Sequence, residues 1–145
     1  MFKKVLIPVD VEVPAQAHQL LVAAKKLTAG WACELHVTTV IPSVGMAIVG
    51  TYLDGDFEAR RREAVIGQLA DAVTAAGIKA DQHVQTGTIY DSVIELASNL
   101  GADLIILGAH QPNVRDYLLG SNAARVVRHS KQSVLVLRDE ALLTD

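Results

Sequence analysis

The sequence predicts one doubly wound α/β domain over residues 1–145, a five-stranded parallel sheet in the order 3-2-1-4-5 with helices on both faces. Three observations carry this. Short apolar runs alternate with stretches of helical period along the whole chain, which implies parallel strands joined by right-handed crossovers. The first, fourth and last runs are apolar without polar alternation, as strands buried on both faces are. Finally, 145 residues, half of them hydrophobic, suit a single core, and no repeat or linker divides them.

Lys3 to Asp10 (KKVLIPVD) is a short apolar run closed by a polar residue and reads as the first strand. Pro14 stands where a first helical turn tolerates proline. Ala17, Leu20, Leu21, Ala24 and Leu27 follow at helical spacing, and Gly30 supplies the stop. Cys33, Leu35, Val37 and Thr39 alternate toward Ile41 and Pro42, a second strand. Pro42 to Asp56 has little period and three glycines, and reads as a long loop. Phe57 to Ala76 is helical, with Val65, Ile66, Leu69, Val73 and Ala76 on one face and Gly77 as the cap.

Ile78 to Gln85 is a weak strand whose Lys79, Asp81, Gln82 and His83 suit a solvent-facing sheet edge. Thr88 to Leu100 is a helix with Ile89, Val93, Leu96, Ala97 and Leu100 aligned. Leu104 to Leu107 is an uninterrupted apolar strand, and Ala109 to Leu119 a polar loop. Ser121 to Ser130 is helical through Ala123, Val126 and Val127, and Ser133 to Leu137 is the last strand. The predicted order places Val134-Leu135-Val136-Leu137 at the opposite edge, where exposed apolar backbone is a pairing hazard. A homodimer through Ser133–Leu137 removes the hazard; a helix or tail folded over the strand is the other solution.

Composition narrows the function. A net charge of -3 and a pI near 5.9 leave no basic footprint for nucleic acid. The single cysteine, Cys33, excludes an internal disulfide framework and a cysteine-based zinc cage, and its apolar-alternating setting predicts a buried, inert thiol. Lys3 and Lys4 imitate the start of a signal peptide, but the apolar run Val5 to Val9 contains Pro8 and stops at Asp10. Nothing approaches the roughly 20 apolar residues of a membrane helix. The chain reads as cytoplasmic, with no membrane partner.

In open parallel sheets ligands bind beyond the carboxyl ends of the strands, where strand order reverses. That point lies between the first and fourth strands, at Pro8, Val9 and Asp10, Leu107 to Gln111, and the loop up to Gly120. Leu119-Gly120-Ser121-Asn122 opens the last helix: glycine allows close backbone approach, serine offers a hydroxyl, and free N–H groups favour an anion. These residues make a phosphate cradle or, equally, an ordinary helix cap by Ser121 or Asn122. Asp10 fits ribose or metal binding, or the cap of the first helix. His110 lies where it has chemical reason to act as a base or phosphoacceptor, though without a carboxylate nearby in sequence.

His18, His36, His83 and His129 show no metal-ligand spacing and read as surface or satisfied groups. Arg115 fits a phosphate clamp or, more simply, a solvated loop arginine, and Arg60-Arg61-Arg62, between Glu58 and Glu63, reads as an exposed helix face with local pairing. Gly45 to Thr51 lacks the lysine of a P-loop and reads as a loop or lid near the site.

Gly108-Ala109-His110-Gln111, then Leu118-Leu119-Gly120-Ser121-Asn122-Ala123, Val126-Val127-Arg128-His129 and Ser133-Val134-Leu135-Val136 together resemble the universal stress protein (UspA-like) family. The opening Val5-Leu6-Ile7-Pro8-Val9-Asp10 fits the same family. Its nucleotide motif is glycine, two residues, glycine, nine residues, then glycine with serine or threonine. Gly108, Gly120 and Ser121 match, whereas Gln111 replaces the second glycine and only the eight residues Pro112 to Leu119 precede Gly120. That altered loop resembles the F/G-like, nucleotide-binding branch.

The resemblance implies ATP or AMP as ligand, with magnesium as a companion ion. Pro8, Val9 and Asp10 would line the adenine and ribose end, with Val40 against the base. Leu107 and Gly108 would floor the site, and Gly120, Ser121 and Asn122 would hold the phosphates. Gln111 and His110 would stand near them. The resemblance also implies dimerisation through the final strand and a stress-response role in which nucleotide state changes the surface shown to a protein partner. Two other classes compete: a nucleotide-free dimerisation module, favoured by Gln111, and a slow ATPase or self-phosphorylating protein using Ser121 or His110. The missing Walker lysine, general base and carboxylate cluster for magnesium weigh against efficient catalysis. A phosphoacceptor receiver needs clustered acids where Asp10 stands alone, and Val11-Glu12-Val13-Pro14 is unlike the phosphate loop of a flavodoxin.

Overall fold

Two unbroken apolar runs set the middle of the molecule. The computed structural model describes residues 1–43, 55–109 and 120–138. In it Lys4–Pro8 (β1) and Leu104–Gly108 (β4) lie side by side, with Val5, Leu6, Ile7, Leu104, Ile105 and Ile106 enclosed. Successive strand residues point to opposite faces, so such runs need a core on each side. Val5, Ile7, Val37 and Ile106 pack with Leu20, Leu21, Leu69 and Val73 beneath helices α1 (Pro14–Thr28) and α2 (Gly55–Ala76). Leu6, Ile105 and Leu107 pack with Val93, Ala97 and Val126 beneath α3 (Ile89–Leu100) and α4 (Ser121–His129).

Glu34–Pro42 (β2), Asp81–Gly87 (β3) and Ser133–Leu137 (β5) complete the sheet. All its pairings are parallel and the order is β3-β2-β1-β4-β5, as the alternation of elements predicts. At one edge β3 carries its polar residues half-exposed or exposed. At the other, the four apolar residues of β5 are only half-buried, and among the described residues its outer side pairs with no strand.

Several local expectations shift. Ile66 is 46% exposed, because it sits about 100° around the helix from Val65. Val127 is likewise exposed beside buried Val126. Gly77, at φ 66°, takes the left-handed conformation that closes a helix, but Gly30 does not: the left-handed residue after α1 is Ala32, at φ 51°. Cys33 precedes β2 instead of opening it and is half-buried, not buried. The Gly45–Thr51 run and most of the loop Ala109–Leu119, with Arg115, lie outside the described residues.

Candidate functional site

β1 and β4 are neighbours, yet the chain leaves them toward opposite faces, into α1 and toward α4. Their carboxyl ends therefore part and leave a cleft between the two following segments. It has a volume of about 410 Å³, within the size range of small-molecule sites. Pro8, Val9 and Asp10 from the end of β1, Val40 from β2, Leu107 and Gly108 from β4, and Gly120 and Asn122 at the start of α4 all line it. Ser121 is exposed and is not among the lining residues. His110 and Gln111 lie outside the described residues.

The polar groups of the cleft are arranged by the local backbone. Asp10 does not cap α1, whose N-cap is Val13. Its Oδ1 instead accepts the Glu12 N–H at 2.9 Å and its carbonyl accepts the Val13 N–H at 3.2 Å, a turn of the kind aspartate favours. Among the described residues Oδ2 accepts no hydrogen bond.

At the other wall Gly120 is the N-cap of α4, extended at φ -60° and ψ 155° and buried. Its carbonyl accepts the Ala124 N–H at 2.9 Å, while the N–H groups of Ser121, Asn122 and Ala123 meet no acceptor among the described residues. A glycine cap has no side chain to fill that role, so the cap by Ser121 or Asn122 that the sequence allows is not formed. The helix start therefore presents its partial positive charge and free donors. Between these walls lie Val9, Val11 and Ile41, buried apolar side chains suited to a flat ring.

Sequence reasoning missed two charged residues here, Arg61 and the exposed Glu12. Arg61 lines the cleft and is half-buried. It is one helical turn before Val65, which the periodicity already places on the inward face, and residues four apart on a helix share a side. The arginine triplet is not held by Glu58 and Glu63: Arg60 Nε donates to the Asp56 carbonyl at 3.2 Å and Arg62 Nη2 to the Val84 carbonyl at 2.8 Å. A second group of polar residues gathers at the opposite, amino end of the sheet. There His36 and His83, distant in sequence, have ring nitrogens 2.9 Å apart.

The strand order defines a doubly wound α/β domain with a cleft at its topological switch point. The model of the universal stress protein family matches residues 1–138, and the chain belongs to that family. It is 30% identical over 141 residues to Universal stress protein A homolog 2 of Coxiella burnetii, spanning 94% of this chain and 95% of that protein. It is 49% identical to Universal stress protein G of Shigella flexneri over 57 residues, 39% of this chain and only 40% of that protein's length. The solved structure of hypothetical protein MJ0577 superposes with a TM-score of 0.74 at 25% identity, covering 94% of this chain and 96% of that one. Two structures of the same fold are complexes: a universal stress protein with cAMP (TM-score 0.64, 21% identity, 94% and 96% covered) and one from Archaeoglobus fulgidus with dAMP (TM-score 0.64, 18% identity, 92% and 96% covered). No helix among the described residues is long and apolar enough to cross a membrane.

Proposed function

We propose that this chain is a cytoplasmic, homodimeric regulatory protein of the stress response that binds ATP or AMP in the switch-point cleft. Its nucleotide state sets the surface it offers to a protein partner. One observation carries the reading: the uncapped start of α4, with Gly120 and Asn122, faces Asp10 across an apolar-walled cleft. The arrangement separates a site for an anion from a site for a ring and hydroxyls. Adenine sits between Val9 and Val40, and the ribose hydroxyls donate to Asp10 Oδ2. Leu107 and Gly108 form the floor. The phosphates accept from the backbone of Ser121, Asn122 and Ala123, with Arg61 as counter-charge and magnesium accompanying ATP. The family resemblance assigns His110 and Gln111 to the phosphate end. Two proteins of this fold that hold adenine nucleotides support the choice of ligand.

Free Cys33 fits a reducing compartment. The apolar outer edge of β5 supports the dimer. Nucleotide acts as a switch only if it binds two conformations with different affinity.

The test is to denature freshly purified protein, identify released nucleotide by mass spectrometry, and titrate the emptied protein with ATP, AMP and magnesium in a calorimeter. The reading expects micromolar affinity, about -8 kcal/mol, at one nucleotide per chain. No released nucleotide and no heat would leave a nucleotide-free interaction module.

A further inference from the structure

The amino end of the sheet, remote from the cleft, carries its own cluster. β2 and β3 run in a register that sets His36 beside Asp81 and Thr38 beside His83. Strand residues two apart share a face, so Glu34, His36, Asp81 and His83 all stand on one side of the sheet. His36 Nδ1 lies 2.9 Å from His83 Nε2 and 3.8 Å from Asp81 Oδ2, and His36 Nε2 lies 3.6 Å from Glu34 Oε1. Ligand atoms of Glu34, His36 and Asp81 all fall within 4.8 Å of one another.

The His36 side chain is only 5% exposed, and its Nε2 is buried without a hydrogen-bond partner. Burying a polar nitrogen unpaired is costly, so the atom asks for an explanation. Glu34 is held from its far side, with Oε2 3.4 Å from Lys4 Nζ, which also donates to the Leu100 carbonyl at 2.8 Å. Asp81 and Glu34 remain more than half exposed, which leaves a path for an ion from solvent.

We infer that Glu34, His36, Asp81 and His83 form a site for a divalent transition-metal ion of the zinc class, one that clamps the edge strand β3 to β2. His36 Nδ1, His83 Nε2 and the Asp81 carboxylate are the ligands, with water completing the set. Glu34 closes onto His36 Nε2–H, the carboxylate partner that a metal-bound histidine ordinarily has, and so the orphaned nitrogen gains its acceptor. Two imidazoles and a carboxylate favour zinc or its neighbours over magnesium or calcium, which take oxygen ligands.

Nitrogens at ordinary zinc distances in a tetrahedron stand ~3.3 Å apart, so the two rings, now nitrogen to nitrogen at 2.9 Å with centroids 5.1 Å apart, separate slightly and turn until both lone pairs meet one ion. Binding also requires His83 as the neutral tautomer with its proton on Nδ1: a neutral ring reaches it by moving the proton from Nε2 to Nδ1, and a protonated ring by releasing the Nε2 proton to solvent. The alternative is a simple imidazole–imidazole hydrogen bond with no ion between the rings, and a metal titration separates the two.

Untagged, chelator-stripped, nucleotide-free full-length chain is titrated with Zn²⁺ in a calorimeter and with Co²⁺ by visible absorption. The expected result is one saturable ion per chain, tetrahedral Co²⁺ bands, and a Zn²⁺-dependent rise in the unfolding midpoint. His83→Gln and Asp81→Asn each weaken binding by roughly tenfold or more, whereas His18→Gln and His129→Gln do not. His36 is too buried for its replacement to be informative. Shifts of the His36 and His83 ring signals in the NMR spectrum of the unmodified protein on adding Zn²⁺ therefore provide the readout that needs no variant. No saturable binding, or binding indifferent to both His83→Gln and Asp81→Asn with those ring signals unmoved, overturns the proposal.

Discussion

Asp103 holds the start of the first strand in place with one carboxylate. It accepts the N–H of Lys3 at 2.9 Å and of Lys4 at 3.0 Å, pinning the chain ahead of β4 to the chain entering β1. Chiefly the Lys3 bond, against a smaller desolvation cost, holds its carboxyl below the usual carboxylate range. The unfolded chain therefore takes up this proton at a higher pH than the folded one does. The stability that Asp103 contributes is complete at neutral pH and is lost as the pH falls through the folded pKa. Because the carboxylate is solvent-screened, Asp103→Asn is expected to cost no more than about 1 kcal/mol at pH 7. Urea unfolding of the variant should also lose less stability on acidification than that of the parent protein.

The same scale shows what single residues disclose in sequence. Asp10 and Gly120 were legible because each ends or begins an element at a position the sheet order makes special. Arg61 was not, since an arginine beside two others fits a solvated face until the docking of α2 is known. Arg61→Ala is expected to weaken ATP binding several-fold, and AMP binding less, in calorimetric titrations at low salt. Equal affinities before and after the change would remove Arg61 from the site. The His36–His83 contact was invisible for a different reason: metal-ligand spacing describes one segment, whereas this pair is made by the register of two parallel strands.

At the scale of elements, the start of α4 carries the most. Its N-cap lacks a side chain, so its free N–H groups are available to whatever lies in the cleft. Gly120→Val puts a branched side chain at that buried, close-approach position. It is expected to reduce ATP affinity by more than tenfold in calorimetry while leaving the dimer intact in light scattering. Unchanged affinity would mean that the cradle lies elsewhere. Element type and order followed from period alone, because runs such as Leu104 to Leu107 and the stripe of Leu69, Val73 and Ala76 have only one way to be buried. Finer detail did not. Ile66 and Val127 are apolar but stand off the buried stripe, and the left-handed turn after α1 falls on Ala32 and not on Gly30.

For the whole molecule, the sheet order does two things at once. It creates the cleft where β1 and β4 send the chain to opposite faces, and it leaves β5 as an outer strand with apolar residues half-exposed. Both consequences were readable before any coordinates. The polar third strand and the apolar last one could occupy only opposite edges of a 3-2-1-4-5 sheet. The parent chain is expected to scatter light as the proposed dimer, and Val136→Asp, which places a charge on the apolar edge, as a monomer. A persisting dimer would move the interface away from β5. Contents of the cleft were less legible, since the size and polarity of a site depend on how α1, α2 and α4 converge on it.

Residue-resolved NMR tests most directly whether adenine nucleotide occupies this cleft. Isotope-labelled, nucleotide-free protein is titrated with ATP and magnesium while backbone amide positions are followed. Saturable shifts concentrated at Val9, Asp10, Val40, Gly108, Gly120 and Asn122 are expected, with the amino-end residues Glu34 and Asp81 unmoved. A spectrum that does not change, or shifts that gather away from the switch point, would contradict that occupancy.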